Sequence, residues 1–326
     1  MKTLLPLREQ PSFKIYLPQV LGLAPNVTLE EISDGVEVKR HASCLSINIP
    51  SAAKESLIHN LKEGWCTDNL SASWRQLLEH LLGAGMIMAR GEAPAGSVHA
   101  ADAFATISRA IDCASSQAFP PNHALNDLIK GECSLQTVKR WIIENYHFTA
   151  AARHHIAPVL DHDMSFLERE MWLRLLKDES WHWRIYRKVF TQLGLTFQNV
   201  DAMTPDPTTT ALVSALTEAA IAGPVEYAAA LVFIERPPMV ACIEEDPLYG
   251  ALLLKYGLER KSVQPLWWHA LENRHSGHSS LPAVIISNRL HIAREVVGDA
   301  CTRATQVVAV VGRWQQSILS RTPHEA

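Results

Sequence analysis

Glu179 and His182 lie three residues apart in the run Asp178-Glu179-Ser180-Trp181-His182. On a helix that spacing projects a carboxylate and an imidazole from one face. Together they can hold a divalent first-row metal, and Glu-x-x-His is the ligand pair of helical dinuclear carboxylate sites. Many helices carry such a pair by chance, so the case depends on further donors downstream. Glu235 ends the apolar run Ala228 to Ile234 just before Arg236-Pro237; it is a third donor, or a residue that meets solvent where its helix stops. His269, Glu272, His275 and His278 recur at threes, which keeps successive donors near one helical face. Glu144, His147 and His154 form a fourth set at spacings of three and seven: an alternative ligand set or, preferred here, residues behind the ligands or in the wall of a substrate pocket. Glu226, nine residues before Glu235, faces the other side of their helix. Two or three helices that each give Glu and His to one interior follow the logic of a carboxylate-bridged iron or manganese pair.

The elements that must position these residues are read from periodicity and breakers. Phe166 to Leu195 has apolar residues at threes and fours and no Gly or Pro before Gly194, which predicts one helix. Further helices are expected at 123–130, 134–160, 208–221, 224–236, 238–256, 262–276 and 280–320, so that only helices follow Asn122. Ser134 is a natural N-cap, and Glu244-Glu245-Asp246 reads as a solvated loop. Before about residue 90 the pattern differs. Phe13 to Leu17, Val36 to Val38 and Leu45 to Ile49 alternate as strands, with a turn at His41-Ala42-Ser43. Ser51 and Ser71 are placed to cap two helices, and Met86 to Met88 suits a last strand. The expected fold class is mainly α: a helical bundle over 123–326, preceded by a small α+β winged-helix-like domain over 1–90. Residues 91–122 are a linker with a helix near Ala100 to Ala114.

Length and composition bound the function. The 326 residues suffice for two domains, and 47% hydrophobic with 20% charged residues are globular values. Fifteen His and nine Trp exceed what this length leads one to expect, and the His-rich helical segments justify a metal hypothesis, although most His in any protein are surface or satisfied core residues. A net charge of −4 does not advertise nucleic-acid binding. Six scattered Cys without a C-x-x-C point to free thiols in a reducing compartment. Neither a signal peptide nor an apolar run long enough for a membrane span is evident, so a cytoplasmic location is expected.

With these residues in hand, the chain from about Ser134 onward resembles the heme-oxygenase-like diiron oxidases and oxygenases of the TenA and PQQ-biosynthesis-protein-C group. Glu179-x-x-His182 followed by Leu193-Gly194 resembles that family's first ligand helix; Ile234-Glu235 resembles the second, and His269 onward the third. The Trp141 to His155 segment resembles the aromatic helix before the first ligand helix. The family's third helix usually reads His-x-x-x-Asp-x-x-His, whereas Asn273 and Ser276 occupy the Asp and second His places here. The resemblance implies metal ligation by Glu179, His182, Glu235 and His269, then Glu272 and His275. It implies Fe(II), two ions per chain, with dioxygen as co-substrate. The N-terminal region resembles the PqqD-like module that binds leader peptides of ribosomal natural products. That resemblance implies a peptide laid along Leu45 and Ile47 and against the Arg75 helix.

The expected function is therefore non-heme iron, dioxygen-dependent oxidation in natural-product biosynthesis, with a peptide recruited by the N-terminal domain. A cofactor-independent enzyme of the same fold and a non-catalytic partner protein with a degenerate site are the alternatives. The catalytic residues proper are not assigned, a small-molecule substrate stays open, and so does a homodimer; neither nucleic acid nor membrane is an expected partner.

Overall fold

A computed structural model describes residues 20–320 except 25–26, 41–42, 84–85, 91–92, 237–239, 241, 276–277, 279–280 and 288. The strand expected at Phe13 to Leu17 and the turn at His41-Ala42 lie outside the described residues. The described chain is mainly helical, and a small α+β region precedes the helical bundle.

In the α+β region, β1 (Val20–Leu23), β2 (Val27–Ile32), β3 (Gly35–Arg40) and β4 (Ser43–Asn48) precede α1 (Ser51–Glu63), β5 (Trp65–Cys66), α2 (Ala72–Gly83) and β6 (Ile87–Ala89). They form two antiparallel sheets, ordered β2-β3-β4 and β5-β1-β6. Alternation turns Val36, Val38 and Ile47 inward, and α1 buries Leu57 and Leu61, one turn apart, in the same core. A Cβ on Gly35 would meet the Ile47 carbonyl, so only glycine lets β3 and β4 pair in this register. Ser71 caps α2 as expected, its hydroxyl accepting from Trp74 N at 3.4 Å. Ser51 does not cap α1: it is the first helical residue, and Pro50 holds the cap position without a side-chain bond.

The helical part starts with β7 (Ser97–His99) and α3 (Ala100–Ala118), then α4 (Ala124–Lys130), α5 (Leu135–Ala150) and α6 (Ala152–Ile156). After a 3-10 turn at Ala157–Asp161 come α7 (Phe166–Glu179), a 3-10 turn at His182–Tyr186, α8 (Arg187–Gln192) and α9 (Phe197–Asp201). There follow α10 (Pro207–Ala222), α11 (Pro224–Ile234), α12 (Pro247–Leu254), α13 (Arg260–His275), α14 (Leu281–Ser287), β8 (His291–Ala293) and α15 (Arg294–Ser320). Ser134, Ser165, Thr196, Asp206 and Asp246 cap their helices by accepting from a first-turn N–H. Pro207, Pro224 and Pro247 sit where a missing N–H costs nothing. The 27-residue α15 is the spine, packing on α3, α10 and α11. Apolar on nearly all sides, with Glu226 in its first turn the exception, α11 has Tyr227, Ala228, Ala229 and Ala230 fully buried.

Four expected helices are corrected. The Phe166 to Leu195 helix ends at Glu179: Trp181 N turns to Asp178 O in a three-residue bond, and 3-10 winding follows from His182. The helix expected at 238–256 begins only at Pro247, fixed by the Asp246 carboxylate accepting from Leu248 and Tyr249. The 134–160 helix is interrupted at Ala151. The 280–320 helix is split by β8, which pairs antiparallel with β7, so helices alone do not fill the chain beyond Asn122.

Two packing features generate tests. Gly312 on α15 lies so close to α3 that an added Cβ would come 2.7 Å from the Ala118 carbonyl. Gly298, on the same helix, faces open space. Gly312→Ala is expected to destabilise by about 1–3 kcal/mol, and Gly298→Ala to stabilise by up to about 1 kcal/mol; chemical denaturation of both variants checks this. Separately, His155 is buried with Nδ1 2.8 Å from the Tyr227 hydroxyl, and burial lowers its pKa to about 4. The unfolded ring protonates near its ordinary 6.5, so the unfolded chain holds the extra proton between those values. His155 therefore contributes a stability loss of about 3 kcal/mol as pH falls from 6.5 to 4. In His155→Gln, urea midpoints should decline less over that window than in the unmutated chain.

Candidate metal centre

Four segments meet here: the end of α7 with the turn after it, α13, the segment beyond α13, and the end of α11. Glu179 is the last residue of α7, and His182 opens the 3-10 turn just after it, so the break in the helix falls inside Glu-x-x-His. The pair still meets: His182 Nδ1 lies 2.8 Å from Glu179 Oε2. From α13, His269 Nε2 lies 2.8 Å from His182 Nδ1 and 3.9 Å from Glu179 Oε2. On the other oxygen, His278 Nδ1 lies 3.2 Å from Glu179 Oε1. Glu235 ends α11 beside this second group. The result is two donor triads that share Glu179: one with His182 and His269, one with Glu235 and His278, each with its donor atoms within 4.8 Å of one another.

Burial differs between the two. Glu179, Glu235 and His278 are buried, whereas the His182 and His269 side chains each keep 23% of their exposure. The centre thus has a closed end and an open end. Burial opposes charge on Glu179, yet the imidazoles of His182, His269 and His278 outweigh it and hold its pKa well below the usual carboxylate range. Burial and the negative charge of Glu179 push Glu235 up to about 8. Burial works against a charged His278, but Glu179, Glu235 and Asp178 push its pKa up.

The donor set fits a first-row divalent metal. Glu179 Oε1 and His278 Nδ1 are buried and face each other at 3.2 Å, and among the described residues neither atom has an aligned hydrogen bond. No hydrogen bond or ion pair among the described residues reaches the Glu235 carboxylate, although it is buried. A buried carboxylate in that state is costly, and a cation between it and Glu179 would neutralise both. Mixed carboxylate and imidazole donors suit iron or manganese.

Of the residues singled out by spacing, Glu179, His182, Glu235 and His269 come together. Glu272 and His275 lie on α13, but their side chains lie outside the described residues. His278, beyond the end of α13, shares their threefold spacing but is not among the ligands that the resemblance implies. Glu144 is buried elsewhere: its Oε2 accepts from Asp206 N at 3.0 Å and from the Thr209 hydroxyl, binding α5 to the start of α10. His147 is half-buried with a buried, unpartnered Nε2, and His154 is exposed. Its neighbour His155 faces inward and feels the Glu179 charge. Glu226 is buried beside Gly223 and senses Asp299, His162 and Arg289 rather than the centre. In the α+β region Leu45 is half-buried and Ile47 buried on β4, and Arg75 is half-buried on α2.

All six cysteines are free. Among the described residues no helix is long and apolar enough to cross a membrane.

No protein-family model matches the sequence, and no curated protein matches it. Solved structures do. A domain of unknown function with a heme oxygenase-like fold from Shewanella denitrificans superposes with a TM-score of 0.55 at 14% identity, over 65% of this chain and 90% of that one. A TenA-family transcription regulator from a Silicibacter species gives 0.49 at 11% identity, over 66% and 97%. A TenA homologue from Pyrococcus furiosus gives 0.49 at 15% identity, over 65% and 99%. The first of these likenesses makes the fold of the helical part heme-oxygenase-like.

Proposed function

We propose that the chain is a non-heme iron enzyme that holds two Fe(II) ions and uses dioxygen to oxidise a substrate in natural-product biosynthesis. The observation that carries this reading is the pair of donor triads sharing buried Glu179. Glu179, His182 and His269 would hold one ion, and Glu179, Glu235 and His278 the other. Bound iron would supply the reduction of dioxygen that no side chain can perform. The rest falls to the chain. Glu179 would serve both triads, since its two oxygens already face different partners. The apolar length of α11 keeps water from the closed end. The open end, at His182 and His269, is where a substrate would approach. For the α+β region we propose peptide recruitment beside β4, near Leu45, Ile47 and Arg75. Its support is that β4 pairs with β3 alone among the described strands.

A second reading needs no metal. His269 Nε2 and Glu179 Oε2 each lie 2.8 Å from the same atom, His182 Nδ1, so partly exposed rings stand against a buried carboxylate. An imidazole so placed can take up or give a proton, as an acid–base enzyme of this fold would require.

Anaerobic Fe(II) titration separates the readings. About two equivalents are expected to bind, with a transient visible absorption on mixing with oxygenated buffer. Glu179→Ala should lose both ions and Glu235→Ala only one. A chain that binds no iron in this titration leaves the metal-free enzyme or a non-catalytic partner protein.

A further inference from the structure

We infer that Asp178 is a positioning residue: it fixes the ring of His278 so that Nδ1 is aimed into the metal centre. The inference rests on the metal-binding reading above. His278 stands between α13 and α14, on no long helix that would set its side-chain direction. Its ring is instead held from two sides. Nε2 lies 3.4 Å from Asp178 Oδ2, and Nδ1 lies 3.2 Å from Glu179 Oε1.

The two contacts differ in kind. Nε2 and Oδ2 make a hydrogen bond, whereas Nδ1 and Oε1 do not, although both of the latter atoms are buried. A neutral imidazole carries one N–H. With that proton on Nε2 and given to Asp178, Nδ1 presents its lone pair toward Glu179 and Glu235. A carboxylate behind a ligating imidazole sets tautomer and orientation in this way. Asp178 belongs to neither donor triad, so its carboxylate acts on the centre through His278. Arg174, one turn earlier on α7, places Nε 3.9 Å from the same Oδ2 and steadies it. The last turn of α7 thus delivers the carboxylate common to both triads at Glu179 and, one residue before it, the carboxylate that aims the facing imidazole.

The test uses Co(II) alone as probe, because its visible bands report coordination. Binding isotherms and spectra are compared for the full chain and for Asp178→Ala, Asp178→Asn, His278→Ala and the Asp178→Ala/His278→Ala double variant. Asp178→Ala should weaken one of the two sites by about 10–100-fold and shift its band, leaving the other unchanged. Asp178→Asn, whose amide oxygen still accepts from Nε2–H, should stay within about threefold of the unmutated chain. In the His278→Ala background, Asp178→Ala should cost nothing further, as expected for a residue that acts through the ring. The inference is overturned if Asp178→Ala binds both ions normally, or if it costs as much without His278 as with it. A chain that takes up two Co(II) yet ignores Asp178→Ala sinks this inference and leaves the metal reading standing. A chain that takes up none overturns both.

Discussion

One carboxylate, Glu179, sets the conditions for the interior of this protein. It is buried and held in its charged form, and an isolated charge there would be prohibitively costly. The chain resolves this with three imidazoles, from the turn after α7, from α13 and from the segment beyond it. His182 is a sequence neighbour, but His269 and His278 lie 90 and 99 residues further on, so the charge is tolerable only when the bundle is assembled around it. A buried ionic cluster of this kind is weak evidence for stability and stronger evidence for a specific arrangement. Glu235, the second buried carboxylate, finds no hydrogen-bonding partner at all among the described residues. That imbalance is why the cluster reads as a binding site rather than as structural glue.

The surrounding fold serves the cluster by ending elements at it. Glu179 closes α7, and Glu235 caps the end of α11. Helix ends allow carboxylates to converge at angles that a continuous helical face does not. The backbone passes to 3-10 winding after Glu179, yet leaves Glu179 and His182 in contact.

Much of this was legible in the sequence, for physical reasons. Glu-x-x-His, Glu235 after a run of small apolar residues, and His269 on an aromatic-flanked helix are local signals that spacing and hydropathy report. Ser134 and Ser71 were legible as caps because a cap is a local hydrogen bond. What was hidden depends on distant partners. The strand His291–Ala293 has only three residues and exists because Ser97–His99 pairs with it. The break after Glu179 is invisible to periodicity, since a 3-10 turn keeps residues three apart on the same side. His278 shares the spacing of the α13 donors but not their helix: it lies past the end of α13, and only the tertiary fold returns it to Glu179. Glu144 looked like part of the same chemistry, yet its neighbours are the cap and first turn of α10.

The position of α11 has a consequence for the chain as it leaves the ribosome. This helix is apolar on nearly every side and is covered chiefly by α15, with α10 and α14 completing the enclosure. Synthesis runs from the N-terminus, so α11 emerges about 60 residues before the first turn of its main cover. The strand that leads into α15 must also find β7, nearly 200 residues upstream. Until then a greasy, unprotected helix is displayed, and closing so long a loop is slow. The interior that suits a buried charge cluster in the finished molecule therefore leaves apolar surface showing in the nascent one until α15 is made.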